Sequence, residues 1–110
     1  MSKVNRFWLV EHFDGDNLIK QYVFSTGIMT DKGMEKFLQY LDAKYNFDDE
    51  DLIACFFRKK TKNHRNLIEV RRGKGPGHYW TLNNPHFTAR SIPENELDRY
   101  LKCDNLHDYR

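Results

Sequence analysis

The stretch from residue 6 to residue 24, RFWLVEHF-DGD-NLIKQYVF, constrains this chain more than any other. Two runs rich in β-branched and aromatic residues, 6 to 13 and 17 to 24, flank Asp14-Gly15, a dipeptide that readily takes the positive φ of a hairpin turn. The pattern predicts a β-hairpin. Side chains alternate across a strand, so Trp8 and Val10 stand opposite Phe7, Leu9 and Phe13. Both faces are apolar, and a strand of that kind has to be covered on both sides.

The period then changes. In TDKGMEKFLQYLDAKY, residues 30 to 45, Met34, Phe37, Leu38, Leu41 and Tyr45 recur at three-and-four spacing and form one helical stripe. Thr30 is placed to cap this helix, and Asp31 suits its first turn. DLIACFFRKK, 51 to 60, is apolar on both alternating sets up to Arg58 and reads as a buried central strand. LIEVRR (67 to 72) and HYWTL (78 to 82) continue a three-strand meander, NNP (83 to 85) breaks it, and HFTARS gives one more short strand. Ser91 and Glu94 have capping-box spacing with Pro93 between them, so a short second helix with Leu97, Tyr100 and Leu101 on its apolar edge is expected.

The expected fold is α+β and two-layered: a largely antiparallel sheet of five or six strands, in the order β-β-α-β-β-β-(β)-α, with two helices packed on one face. The strands 6 to 13 and 51 to 58 are apolar on both faces, so either the sheet curls toward a half-barrel or its second face meets a partner. A homodimer is the partner kept in view.

A chain of 110 residues has room for one domain, 1–110, which buries roughly two-thirds of its unfolded surface without staples. No apolar run approaches the ~20 residues of a membrane span. The first residues lack the pattern of a signal peptide. A cytoplasmic chain without membrane partners is the expectation, with Cys55 and Cys103 as free thiols. No CxxC or Cys/His ligand spacing is present, and neither a metal nor a cofactor is expected.

Charge is segregated. From Arg58 to Lys74 eight basic residues meet one acid, a net of +7 in a chain whose total is +2, so the remainder carries −5. Such a local excess steers polyanions whatever the total charge. Lys59, Lys60, Lys62 and Arg65 gather at one hairpin tip, while Arg71, Arg72 and Lys74 follow at the far end of the next strand. The two groups are separated by about 17 to 20 Å of strand, at ~3.3 Å per residue. Lysines at strand ends also have a plainer use, discouraging edge pairing. Tyr79 and Trp80 follow the basic run on opposite faces of their strand, so one can be core while the other stacks on a base.

The glycines of RRGKGPGHYW, 71 to 80, fit no phosphate-loop motif. Lys74 is followed by Gly75 where a P-loop needs Ser or Thr, the third glycine comes one place early for a dinucleotide fingerprint, and no helix follows. They read as hairpin-loop glycines. His12, His64, His78, His86 and His107 show no helical metal spacing, and His-x-Thr occurs once, at His86. DDED, 48 to 51, lacks the spacing of a calcium loop and reads as a solvated turn. The sequence therefore points to a small binding module without catalytic residues, its expected ligand a nucleic acid or other polyanion held by Lys59, Lys60, Lys62, Arg65, Arg71, Arg72 and Lys74, with Tyr79 or Trp80 stacking. The alternative is a protein-interaction or small-ligand module using the aromatic-rich face. A phosphoester hydrolase combining His78, His86 and Asp16 ranks third.

Overall fold

The computed structural model describes residues 5–54, 70–74 and 77–110. Its elements are β1 (Arg6–Asp14), β2 (Asn17–Ser25), α1 (Asp31–Asn46), α2 (Asp49–Ala54), β3 (Arg71–Arg72), β4 (His78–Trp80), β5 (His86–Pro93), α3 (Glu94–Leu97) and β6 (Leu106–Tyr109). The six strands make one open sheet in the order β3-β4-β5-β1-β2-β6. Every pairing is antiparallel except β2 with β6, which is parallel. This is the α+β, largely antiparallel architecture that the alternation implies. The sheet does not close into a barrel, because β3 and β6 remain at its edges.

The β1–β2 hairpin turns on Gly15, whose φ of +60° lies in the left-handed region that glycine enters without steric cost. Its ladder pairs Trp8 with Phe24 and Val10 with Tyr22 on one face, and Leu9 with Val23 and Glu11 with Gln21 on the other. On the first face these rings meet Met34, Leu38 and Leu41, the buried stripe of α1, with Tyr79, Phe87 and Ala89 completing the core. Each such side chain removed from water contributes about 1.5–3 kcal/mol. Thr30 caps α1 by accepting from Gly33 N at 3.0 Å. Near its other end the buried Asp42 accepts from Asn46 and, at 3.0 Å, from Asn83 Nδ2. Burial pushes the Asp42 carboxyl up, and the two amide donors oppose that shift.

The second face is where the two-sided apolarity is resolved. Leu9, Val23 and Ile92 are buried there against Leu97 of α3, with Tyr100, Leu101 and Leu106 packed alongside. The helices therefore lie on both faces of the sheet rather than on one. The chain's own C-terminal segment covers apolar surface that otherwise called for a half-barrel or a partner.

Three local expectations need correction. Residues 49 to 54 form helix α2, not the start of a buried strand. Asp48 and Asp51 make a reciprocal cap, Asp51 N donating to Asp48 Oδ1 at 2.8 Å and Asp48 N to Asp51 Oδ2 at 3.2 Å. Cys55 to Arg58, the rest of that expected strand, lies outside the described residues. Ser91 is no helix cap: it sits in β5 opposite Trp8, its hydroxyl accepts from Arg6 Nε at 2.8 Å, and α3 begins after Pro93 with no side-chain cap. Finally, β6 had no counterpart in the sequence pattern. Among the described residues no helix is long and apolar enough to cross a membrane.

Candidate functional site

Alternation along β3 and β4 sorts the basic and aromatic residues onto opposite faces. Arg72 pairs in register with Tyr79, and Arg71 with Trp80. The Arg72–Tyr79 pair lies over α1. Tyr79 is 5% exposed, its ring 6.0 Å from that of Trp8, and its hydroxyl donates to Asp31 Oδ2 at 2.7 Å. Burial and that carboxylate push its pKa up to about 12. Arg72 reaches Glu35 of the same helix at 2.7 Å. Tyr79 is therefore committed to the core, while Trp80 stands half-buried on the opposite face.

Arg71 and Trp80 belong to the other face, where β5 and β1 carry the same set onward. Trp80 is in register with Thr88, and His78 with Arg90. Arg90, Thr88 and His86 in turn oppose Leu9, Glu11 and Phe13. Two ring pairs stand on this face. His78 and Trp80 lie 4.9 Å apart, tilted by 49°. Phe13 and His86 lie 5.2 Å apart and nearly parallel, at 12°. A shallow groove of about 320 Å³ is lined by Glu11, Phe13, His78, Thr88 and Arg90.

The polar groups of the groove are held in place from beneath. Glu11 Oε1 accepts from Arg90 Nη2 at 3.0 Å, and its Oε2 from Gln21 Nε2 at 3.3 Å. The Arg90 guanidinium also lies 4.6 Å over the Tyr100 ring, a cation–π contact that restricts it further. Gln21, fully buried, donates to Tyr100 O at 2.7 Å and accepts from Lys102 N and Cys103 N at 3.0 and 2.9 Å. All four of its hydrogen-bonding valences are filled.

β3 and β4 pair antiparallel, and Gly73 and Gly77 stand at the two ends of the segment that joins them. Gly77 has a φ of +80° and approaches β5 so closely that a Cβ there would fall 2.8 Å from Ser91 Cβ. Its carbonyl accepts from Ser91 N at 2.8 Å. A Cβ on Gly73 would meet His78 Nδ1 at 2.9 Å. These glycines serve close approach of backbone to the sheet.

Of the basic residues singled out in the sequence, Arg71, Arg72 and Lys74 are described and exposed, with Arg71 and Arg72 on opposite faces. Lys59, Lys60, Lys62 and Arg65 lie outside the described residues. Arg90, Thr88, Glu11 and Phe13 were not among the expected site residues, although the alternation His86-x-Thr88-x-Arg90 was there to be read. His78 lines the groove and His86 stacks on its rim, but among the described residues neither hydrogen-bonds a carboxylate, and Glu11 is held by Arg90 and Gln21. His12 is buried on the opposite face, between Tyr45 and Phe87. Among the described residues no three His, Cys, Asp or Glu side chains cluster to hold a metal ion. A second cavity, about 340 Å³, lies between the starts of β1 and α1. Its Arg6 guanidinium is bound to Ser91 and its Asp31 to Tyr79.

Comparison with known proteins finds no matching family model, no similar curated protein and no similar solved structure.

Proposed function

We propose that this chain is a nucleic-acid-binding module. The carrying observation is the placement of Arg71 and Trp80 as register partners on the face that also bears His78 and Arg90, at the end of a stretch with net charge +7. In this reading Arg71 and Lys74, with Lys59, Lys60, Lys62 and Arg65, contact phosphates, and Trp80 contacts bases. Arg72 contributes from the α1 side of the sheet, since an exposed pair such as Arg72–Glu35 is worth only about 0–1 kcal/mol and yields to a phosphate.

The test is fluorescence anisotropy with labelled DNA and RNA over a range of salt. Log Kd should change linearly with log salt, because each phosphate contact releases counterions. The double variant Arg71→Ala/Lys74→Ala should reduce that slope by roughly 1.4 to 1.8. Absence of binding at low salt, or binding indifferent to salt, would overturn the proposal.

A further inference from the structure

Resting on that reading, we infer that the ligand is single-stranded and lies with its unpaired bases on the face formed by β3, β4, β5 and β1, one base entering the groove between the two ring pairs. A base inside a duplex offers its edges to a groove but hides its flat face, so a protruding ring has nothing to stack on. An unpaired base offers that face freely, and stacking on aromatic side chains is the usual way sheets hold single strands. Trp80, His78, Phe13 and His86 all stand on this one face.

The helices fit the same conclusion. Duplex readers commonly place a cationic helix in the major groove. Here α1 turns Met34, Leu38 and Leu41 to the core, and its exposed Lys32, Lys36 and Lys44 are interspersed with Asp31 and Glu35, so it presents no purely cationic face. The shorter α2 and α3 carry Asp49, Glu50 and Asp51, and Glu94 and Glu96, in their first turns. Those carboxylates repel phosphate. Three cations flank the rings: Arg71 beside Trp80, Arg90 opposite His78, and Lys74 just beyond β3.

The groove has the composition needed to receive a base edge. Thr88 supplies a hydroxyl that can donate or accept, Arg90 supplies donors, and Glu11 supplies acceptors. Arg90 and Glu11 are already oriented by each other, by Gln21 and by Tyr100, so little ordering is required when a base arrives. At about 320 Å³ the groove lies at the small end of the ~300–1,000 Å³ typical of small-ligand sites.

Trp80 supplies its own reporter. The other tryptophan, Trp8, is 2% exposed and donates through Nε1 to Met29 O at 2.8 Å, so a ligand on this face should quench Trp80 alone. Four probes of equal length are compared: a mixed-sequence single strand as DNA and as RNA, its duplex, and an abasic strand with the same phosphates. The single strands should bind at least tenfold more tightly than the duplex or the abasic strand, and should quench the fluorescence. Trp80→Ala should weaken single-strand binding about 5- to 150-fold, the equivalent of ~1–3 kcal/mol for one stacked base. It should leave abasic binding unchanged, and Trp80→Phe should restore much of the loss. If duplex and abasic strand bind as tightly as the single strand, the single-strand inference is overturned while the nucleic-acid reading survives on charge alone. If no probe binds, both are overturned. The abasic comparison uses the unaltered chain, so it decides the question even if Trp80→Ala does not fold.

Discussion

On one face of the sheet Trp8, Tyr22, Phe24 and Phe87 close with Met34, Leu38 and Leu41 of α1 into a continuous apolar core. On the other, Leu9, Val23, Ile92 and Leu97 make a smaller cluster, and beyond it the strands carry Glu11, Gln21, Thr88 and Arg90. The first face is held by area removed from water, which has no preferred direction. The second depends on directional bonds, four of them converging on Gln21. A face stabilised in that way can leave its outer half in water without losing shape. The ring pairs and the groove occupy that outer half.

If the distinction holds, truncations on the two faces should differ in size and in what they disturb. Phe87, wholly buried among the core rings, should cost about 3–5 kcal/mol on replacement by alanine, read from urea denaturation. Leu9→Ala, in the smaller cluster, should fall near the lower end of the leucine range, about 2 kcal/mol. Equal losses would erase the distinction.

Gln21→Ala tests the directional bonds themselves. It strips one partner each from Glu11 and Tyr100 O, and leaves the Lys102 and Cys103 amides without their acceptor. An unsatisfied buried group costs about 1–3 kcal/mol, and water entering from the open side will offset part of this, so about 2–3 kcal/mol in total is expected. The signature is local: amide exchange at Lys102 and Cys103 should accelerate by more than global destabilisation explains. Unchanged protection there would mean that the C-terminal segment is held by Leu97 and Leu101 and not by the network.

The two faces were unequally legible in the sequence. The β1–β2 hairpin and α1 announce themselves because alternation, turn residue and cap all agree over long segments. The run after Asp51 misleads because a stretch apolar in both alternating sets fits a helix as well as a buried strand. Asp48 and Asp51 had the spacing of a capping box, and that local rule would have settled the matter. Applied at Ser91 and Glu94, the same rule fails, because a tertiary partner, Arg6, takes the hydroxyl. As for β6, its four residues acquire strand character only by lying parallel to β2, a non-local pairing that leaves no local trace. The groove was half legible. Glu11 within an apolar strand signalled a buried carboxylate in need of partners, but that Arg90 would be the partner depends on β5 lying beside β1. The basic cluster of the sequence divides between strand faces by alternation alone, which separates Arg71 from Arg72 before any packing is known.

The smallest effect concerns a histidine buried on the apolar face. His12 is 5% exposed, flanked by Tyr45 and Phe87 at 4.7 and 4.5 Å, and among the described residues its Nδ1 has no hydrogen-bond partner. Burial, and after it the positive charge of Lys20, lowers its pKa below the ordinary 6.5, with Asp14 opposing and His86 adding slightly. The unfolded chain therefore binds a proton more readily than the folded one. Stability from this site is complete above about pH 6.5 and is lost as the pH falls below that value toward the folded-state pKa. Leucine in its place keeps the apolar contacts and has no proton to take up. Unfolding of both proteins followed from about pH 7.5 down to about pH 5 should then show the native chain losing stability relative to His12→Leu as acid is added. A difference constant across that range would mean that water or a polar partner reaches the His12 ring, and the face beneath α1 would not be as dry as its packing implies.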